Sequence, residues 1–134
     1  MLKKIEHIGI AVKDLEVSNE LFEKLLGVPA YKSEEVESEG VITSFFKNGP
    51  NKMELLAATK PDSAIAKFLD KRGEGVHHIA FEVDDIVLEI ARLKKEGFVV
   101  LDENPKKGAD NKWVAFLHPK STNGVLVELC QEIK

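Results

Sequence analysis

The chain states one pattern twice, and that repetition limits what it can fold into more than any other feature does. His7-Ile8-Gly9-Ile10-Ala11-Val12, followed by acidic Asp14, returns as His78-Ile79-Ala80-Phe81-Glu82-Val83, followed by Asp84 and Asp85. Each copy continues through an amphipathic stretch and closes on an acidic tripeptide, Met53-Glu54-Leu55 in the first half and Val127-Glu128-Leu129 in the second. His7 to Glu54 is 47 residues and His78 to Glu128 is 50. One copy places a His and a Glu on a sheet too small to close by itself. Two copies related by a pseudo-two-fold can bring two imidazoles and two carboxylates to one point. Such a set of N and O ligands suits a divalent metal with open positions.

Within each copy the order is strand, helix, then three strands. Ile5 to Val12 alternates, with Ile8, Ile10 and Val12 on one face and His7, Gly9 and Ala11 on the other. Asp14 is the expected N-cap of a helix whose stripe is Leu15, Leu21, Phe22, Leu25 and Leu26, ending at Gly27. Strands follow at Tyr31–Glu37, Val41–Lys47 and Lys52–Ala57, with a turn near Glu39-Gly40 and a tight connection over Asn48-Gly49-Pro50-Asn51. A linker helix runs from about Ser63 to Lys71 on Ile65, Phe68 and Leu69. The second copy opens at Val76–Val83. Asp84 or Asp85 caps a helix with the stripe Val87, Ile90, Ala91 and Leu93. Strands are expected at Phe98–Leu101, Trp113–Leu117 and Val125–Leu129. The expected fold class is α+β: two βαβββ modules, about 3–58 and about 75–131, with a linker helix at about 62–72. A pseudo-two-fold pairs them within one domain over residues 1–134, and their curved mixed sheet encloses a metal site.

Composition narrows the function classes. At 134 residues the chain is long enough to bury a real core. No apolar run approaches the roughly 20 residues that span a bilayer, and the N-terminus lacks a signal-peptide core, so a membrane role is not expected. Cys130 is the only cysteine, which excludes a disulfide framework within one chain and fits a cytoplasmic location. The net charge of −4 argues against general nucleic-acid binding, but a local basic cluster can still meet a phosphorylated ligand.

Alternation separates the candidates. His7 and His78 hold equivalent places on equivalent strands, and His77 must point the other way from His78. Glu54 and Glu128 lie among apolar neighbours, where a carboxylate is costly unless paired or metal-bound. A lone strand histidine is more often structural than a ligand, and Glu54 alone reads equally well as a rim charge paired with Lys52; the repeat reverses both readings. His118, beside Pro119, is a candidate for touching substrate, and Cys130 reads as packing.

These residues resemble the vicinal oxygen chelate (glyoxalase, bleomycin-resistance and extradiol-dioxygenase) superfamily. Within it, longer stretches are similar to the methylmalonyl-CoA epimerase family: Asn51 to Leu56, Asp62 to Ile86 and Lys107 to Cys130, with KFLDKRGEGVHHIAFEV and AFLHPKSTNGVLVEL the most specific. The resemblance implies a divalent metal held by His7, Glu54, His78 and Glu128. Cobalt is the leading ion, with zinc, nickel, manganese or magnesium as alternatives. It also implies an acyl-CoA substrate, a homodimer, and epimerisation of the carbon next to the thioester through an enolate. Glu128 serves as one acid/base. The family's opposing base is a second acidic residue before a strand; aligned on Gly40-Val41, that position carries Ser38, and a one-residue bulge presenting Glu37 is the expectation here.

A CoA ester needs cations and N–H groups. Lys71-Arg72, Lys106-Lys107 and the Lys120-Ser121-Thr122-Asn123-Gly124 turn are candidates, with the Lys120 turn and Ser121 expected to cradle the substrate carboxylate. Two other readings stay open: a glyoxalase I-like lyase acting on a thiol adduct, and a drug-sequestering protein without catalysis. Sequestering proteins tend to lose the ligand set, and here all four residues are present.

Overall fold

The computed structural model describes residues 1–134. Contacts divide the chain into two compact units, His7–His77 and Met1–Glu6 with His78–Lys134. The first strand, β1 (Leu2–Ala11), contributes its opening residues to one unit and His7–Ala11 to the other.

The unit His7–His77 adds α1 (Leu15–Leu26), β2 (Lys32–Val36), β3 (Val41–Asn48), β4 (Asn51–Ala58) and α2 (Ala64–Arg72). Its strands run in the order β2-β3-β4-β1, antiparallel except where β1 lies parallel to β4. The other unit contains β5 (Gly75–Val83) from His78 onward, α3 (Ile86–Lys95), β6 (Lys106–Gly108), β7 (Lys112–Leu117) and β8 (Val127–Glu132). Its order is β5-β8-β7-β6, with β5 parallel to β8. In both units the first strand pairs in parallel with the last. The sequence repeat is therefore a repeat of βαβββ topology, and the fold class is α+β as expected.

Capping chemistry sets both helix starts. The carboxylate of Asp14 accepts from the Val17 N–H at 3.1 Å, and that of Asp85 from the Leu88 N–H at 3.1 Å. The expected stripes need correction. In α1 only Leu15, Phe22 and Leu26 pack on the core of Val12, Phe46, Leu55 and Ala57. Leu21 and Leu25 are 61% and 69% exposed, while Ser18 is buried. The inward stripe follows the i, i+3/i+4 spacing through Ser18, whereas a reading led by hydrophobicity selects the leucines. In α3 the buried residues are Ile86, Glu89, Ile90 and Leu93, while Val87 is 62% exposed and Ala91 faces solvent. Buried Glu89 is paired with Arg92 and with the Met1 ammonium.

Phe98–Leu101 is not a strand. Only Val100 bridges to Leu117, and Phe98 and Val100 pack under α3 in the core of that unit. The outer strand is Lys106–Gly108, whose polar residues carry no strand pattern because an edge strand need bury little. β2 also stops early, at Val36. A 3-10 turn over Glu37–Glu39 leads to Gly40, which is left-handed at φ 63°. A Cβ at Gly40 would come within 3.0 Å of the Ser63 Cβ and 3.1 Å of the Lys60 Cβ, so only glycine fits both the backbone and the space.

Candidate active site and the family it defines

Each unit carries one buried His–Glu pair. In the first, register sets Gly9 of β1 beside Glu54 of β4, and the parallel pairing brings His7 to the same face. His7 Nδ1 lies 3.0 Å from Glu54 Oε2, with the two side chains 6% and 7% exposed. In the second unit Ala80 of β5 pairs with Glu128 of β8, and His78 Nε2 lies 3.4 Å from Glu128 Oε1, at 4% and 9% exposure. A carboxylate so far from water needs a proton, a cation or hydrogen bonds to offset its desolvation. Both pairs belong to clusters of His and carboxylate groups that could hold a metal ion. Their donor chemistry, imidazole nitrogen and carboxylate oxygen, fits a divalent first-row metal.

The registers add residues that the sequence did not flag. Phe45 on β3 stands directly across from Glu54, and Phe116 on β7 directly across from Glu128. Both units thus back their glutamate with a phenyl ring. The Phe116 ring meets His78 edge-on, with centroids 6.0 Å apart at 86°. Lys32 Nζ lies 4.7 Å from the centre of Phe45. The signal for these rings is positional, since each sits on the strand preceding the glutamate strand, and it emerges only once the register is known. Glu6, just before His7, is a further buried carboxylate, 4% exposed.

The remaining candidates sit as follows. His77 points away from the His–Glu face onto α2, edge-on to Phe68 with centroids 5.0 Å apart, and burial lowers its pKa to about 4. Cys130 is buried, and its thiol donates to the Phe81 carbonyl at 3.5 Å. The Lys120 turn does not form the expected N–H cradle. The Lys120 N–H goes to His118 Nδ1 at 3.0 Å, and the N–H groups of Ser121, Thr122 and Gly124 bond within the turn. The Ser121 hydroxyl donates to the His118 carbonyl at 2.9 Å and accepts from the Val99 N–H at 3.3 Å. The turn's hydrogen-bond capacity goes into its own shape, and His118 is its cap. Lys120 keeps an exposed ammonium. Glu37 is exposed at the start of the 3-10 turn, so no bulged strand presents it.

With two βαβββ units, each holding a buried His–Glu pair, the chain belongs to the glyoxalase/bleomycin resistance protein/dioxygenase superfamily, whose model matches residues 6–116. It is 43% identical to a mitochondrial methylmalonyl-CoA epimerase of Homo sapiens, over 97% of this chain and 74% of that one. It is 41% identical to an ethylmalonyl-CoA/methylmalonyl-CoA epimerase of Cereibacter sphaeroides, over 98% and 99% of the two chains. Among solved structures, a variant of the Streptomyces coelicolor methylmalonyl-CoA epimerase in complex with 2-nitronate-propionyl-CoA superposes with a TM-score of 0.94 at 38% identity, covering 98% of this chain and 96% of that one.

Proposed function

We propose that this chain is an enzyme that epimerises methylmalonyl-CoA at the carbon between the thioester and the carboxylate, with His7, Glu54, His78 and Glu128 as the ligands of one divalent metal. The observation that carries the reading is the equivalence of the two buried His–Glu pairs across the repeat. Near-full-length likeness to epimerases of that substrate supports it.

The carbon to be inverted carries a proton made acidic by the neighbouring thioester. Removing that proton leaves a planar enolate, and returning one to the opposite face completes the inversion with no oxidation or net hydration. The metal would supply an electrophile for the thioester and carboxylate oxygens, stabilising negative charge there. Glu128, beside His78 and backed by Phe116, takes or returns the proton on one face. Phe45 and Phe116 keep both glutamates in an apolar setting, which strengthens charge interactions there. Lys120, left exposed on its turn, is a cation for the acidic groups of the CoA ester. The opposite face demands a second carboxyl group, and an exposed turn at Glu37 holds a side chain less rigidly than a strand would. The same reading carries cobalt as the resident ion, a homodimeric assembly and a cytoplasmic location. None of the helices is long and apolar enough to cross a membrane.

Proton-exchange NMR on methylmalonyl-CoA in D2O tests the reading, using metal-loaded and chelator-treated protein. Loaded protein is expected to wash solvent deuterium into the substrate and interconvert the epimers, and stripped protein to do neither. Turnover of a glutathione hemithioacetal with no exchange on methylmalonyl-CoA would replace the reading with a lyase.

A further inference from the structure

In the unit His7–His77, three lysines share the sheet face that carries His7 and Glu54. The registers pair His7 of β1 with Lys52 of β4, and Lys52 with Lys47 of β3. Lys32 of β2 pairs with Phe45, which stands across from Glu54 and two residues before Lys47. Side chains paired directly across neighbouring strands share a face, and so do residues two apart on one strand. Lys32, Lys47 and Lys52 therefore form a row over three adjacent strands, a span of roughly 10 Å. Two of the ammonium groups rest on aromatic rings. Lys32 Nζ lies 4.7 Å from the centre of Phe45, and Lys47 Nζ lies 5.3 Å from that of Tyr31. The two rings stand 6.1 Å apart, and the Tyr31 N–H donates to the Phe45 carbonyl at 2.9 Å.

We infer that this row anchors the phosphates of an adenine nucleotide, the nucleotide end of the acyl-CoA, an assignment that rests on the epimerase reading above. Like charges directly opposite each other destabilise a strand pair. Lys47 and Lys52 are such a pair, in a chain whose net charge is −4. A bound anion offsets that repulsion. An aromatic face attracts a cation and leaves its charge intact, so Phe45 and Tyr31 orient two ammonium groups without neutralising them. Glu34 Oε1 lies 3.9 Å from Lys32 Nζ, but both side chains are 38% exposed, and so exposed a pair cancels the charge of the row only in part. Three cations over roughly 10 Å exceed the reach of a single carboxylate or phosphate. They match a diphosphate with a further phosphate on its ribose, which is what coenzyme A carries. Tyr31, 41% exposed, adds an aromatic surface for the purine. The row starts beside His7, with Lys52 two residues from Glu54 on β4, about 7 Å along the strand. A ligand whose acyl end meets His7 and Glu54 thus crosses the row as it runs outward to β2. The nucleotide takes no part in the chemistry, so the row binds ground state and transition state alike. Its effect falls on KM and on selection of CoA esters over simpler thioesters.

The experiment uses the full metal-loaded chain as wild type, Lys47→Gln, Lys47→Arg, the double variant Lys32→Gln/Lys47→Gln, and Lys24→Gln, whose ammonium pairs with Glu20 on α1. Epimerisation is followed on methylmalonyl-CoA and on methylmalonyl-pantetheine, which has the same acyl group and no nucleotide. Calorimetry measures the binding of adenosine 3′,5′-bisphosphate. Lys47→Gln is expected to raise KM for the CoA ester about tenfold, the loss of one charge-assisted contact, with kcat within about twofold of wild type. The double variant should lose more, Lys47→Arg should keep most of the affinity, and Lys24→Gln should match wild type. None should change KM for the pantetheine thioester. Affinity for the bisphosphate should fall in step with the CoA ester, and added salt should weaken both in wild type more than in the double variant. Unchanged bisphosphate affinity in the double variant would overturn the assignment, as would an equal rise in KM on both thioesters. A wild type that epimerises neither thioester would overturn the epimerase reading instead, and bisphosphate binding would then decide the phosphate anchor by itself.

Discussion

Removing one member of a buried His–Glu pair takes from the other one of the groups that offset its desolvation. His78→Ala removes one partner of the Glu128 carboxylate, which is 7% exposed. A loss of about 1–3 kcal/mol in stability is expected, measured by urea unfolding of metal-free protein. Phe116→Leu conserves apolar character but removes the ring that meets His78 edge-on. It should cost less than about 1.5 kcal/mol in stability while weakening metal binding several-fold, because the ring fixes the imidazole; titration calorimetry reads the second effect. Unchanged metal affinity would show that the ring only fills space. The His and Glu positions were legible in the sequence because the repeat reports them twice and alternation assigns their face. Phe45 and Phe116 were not legible, because a phenylalanine on a strand acquires its meaning from its cross-strand partner. That partner is set by the β3–β4 and β7–β8 registers, which no local pattern reports.

At the scale of elements, sequence pattern located the helices better than it oriented them. The caps at Asp14 and Asp85 are where the sequence indicated, since an N-cap is a local signal. The buried stripes differ because Ser18 and Glu89 occupy inward positions that no hydrophobic pattern reveals. Glu89 accepts from Arg92, so Arg92→Ala should lower the midpoint of chemical denaturation, with the Met1 ammonium left as the carboxylate's other partner. The packing of β5 on α2 makes a pH prediction. Burial against α2 lowers the pKa of His77 from 6.5 to about 4, so the unfolded chain binds a proton more readily than the folded one. The stability this group contributes is complete above pH 6.5 and is lost as pH falls toward 4, by about 3 kcal/mol at most. His77→Phe keeps a ring against Phe68 and should flatten that loss. Metal-free wild type and variant should melt alike near pH 8, with the variant melting higher near pH 5. Parallel melting curves across that window would assign the acid sensitivity to other groups.

At the scale of the molecule, the duplication itself is the functional device of the proposed site. Each βαβββ unit supplies one imidazole and one carboxylate, and the proposed ion requires both units. Independent sites would predict two ions per chain and graded losses on mutation. A shared site predicts one ion and complete loss from either side. The most direct measurement is a cobalt(II) titration of the metal-stripped chain, followed by d–d absorption and checked by elemental analysis, for wild type, His7→Ala and His78→Ala. Saturation at one equivalent in wild type and loss of tight binding in both variants are expected. Saturation at two equivalents, or retention of one tight ion after either substitution, would contradict a shared site.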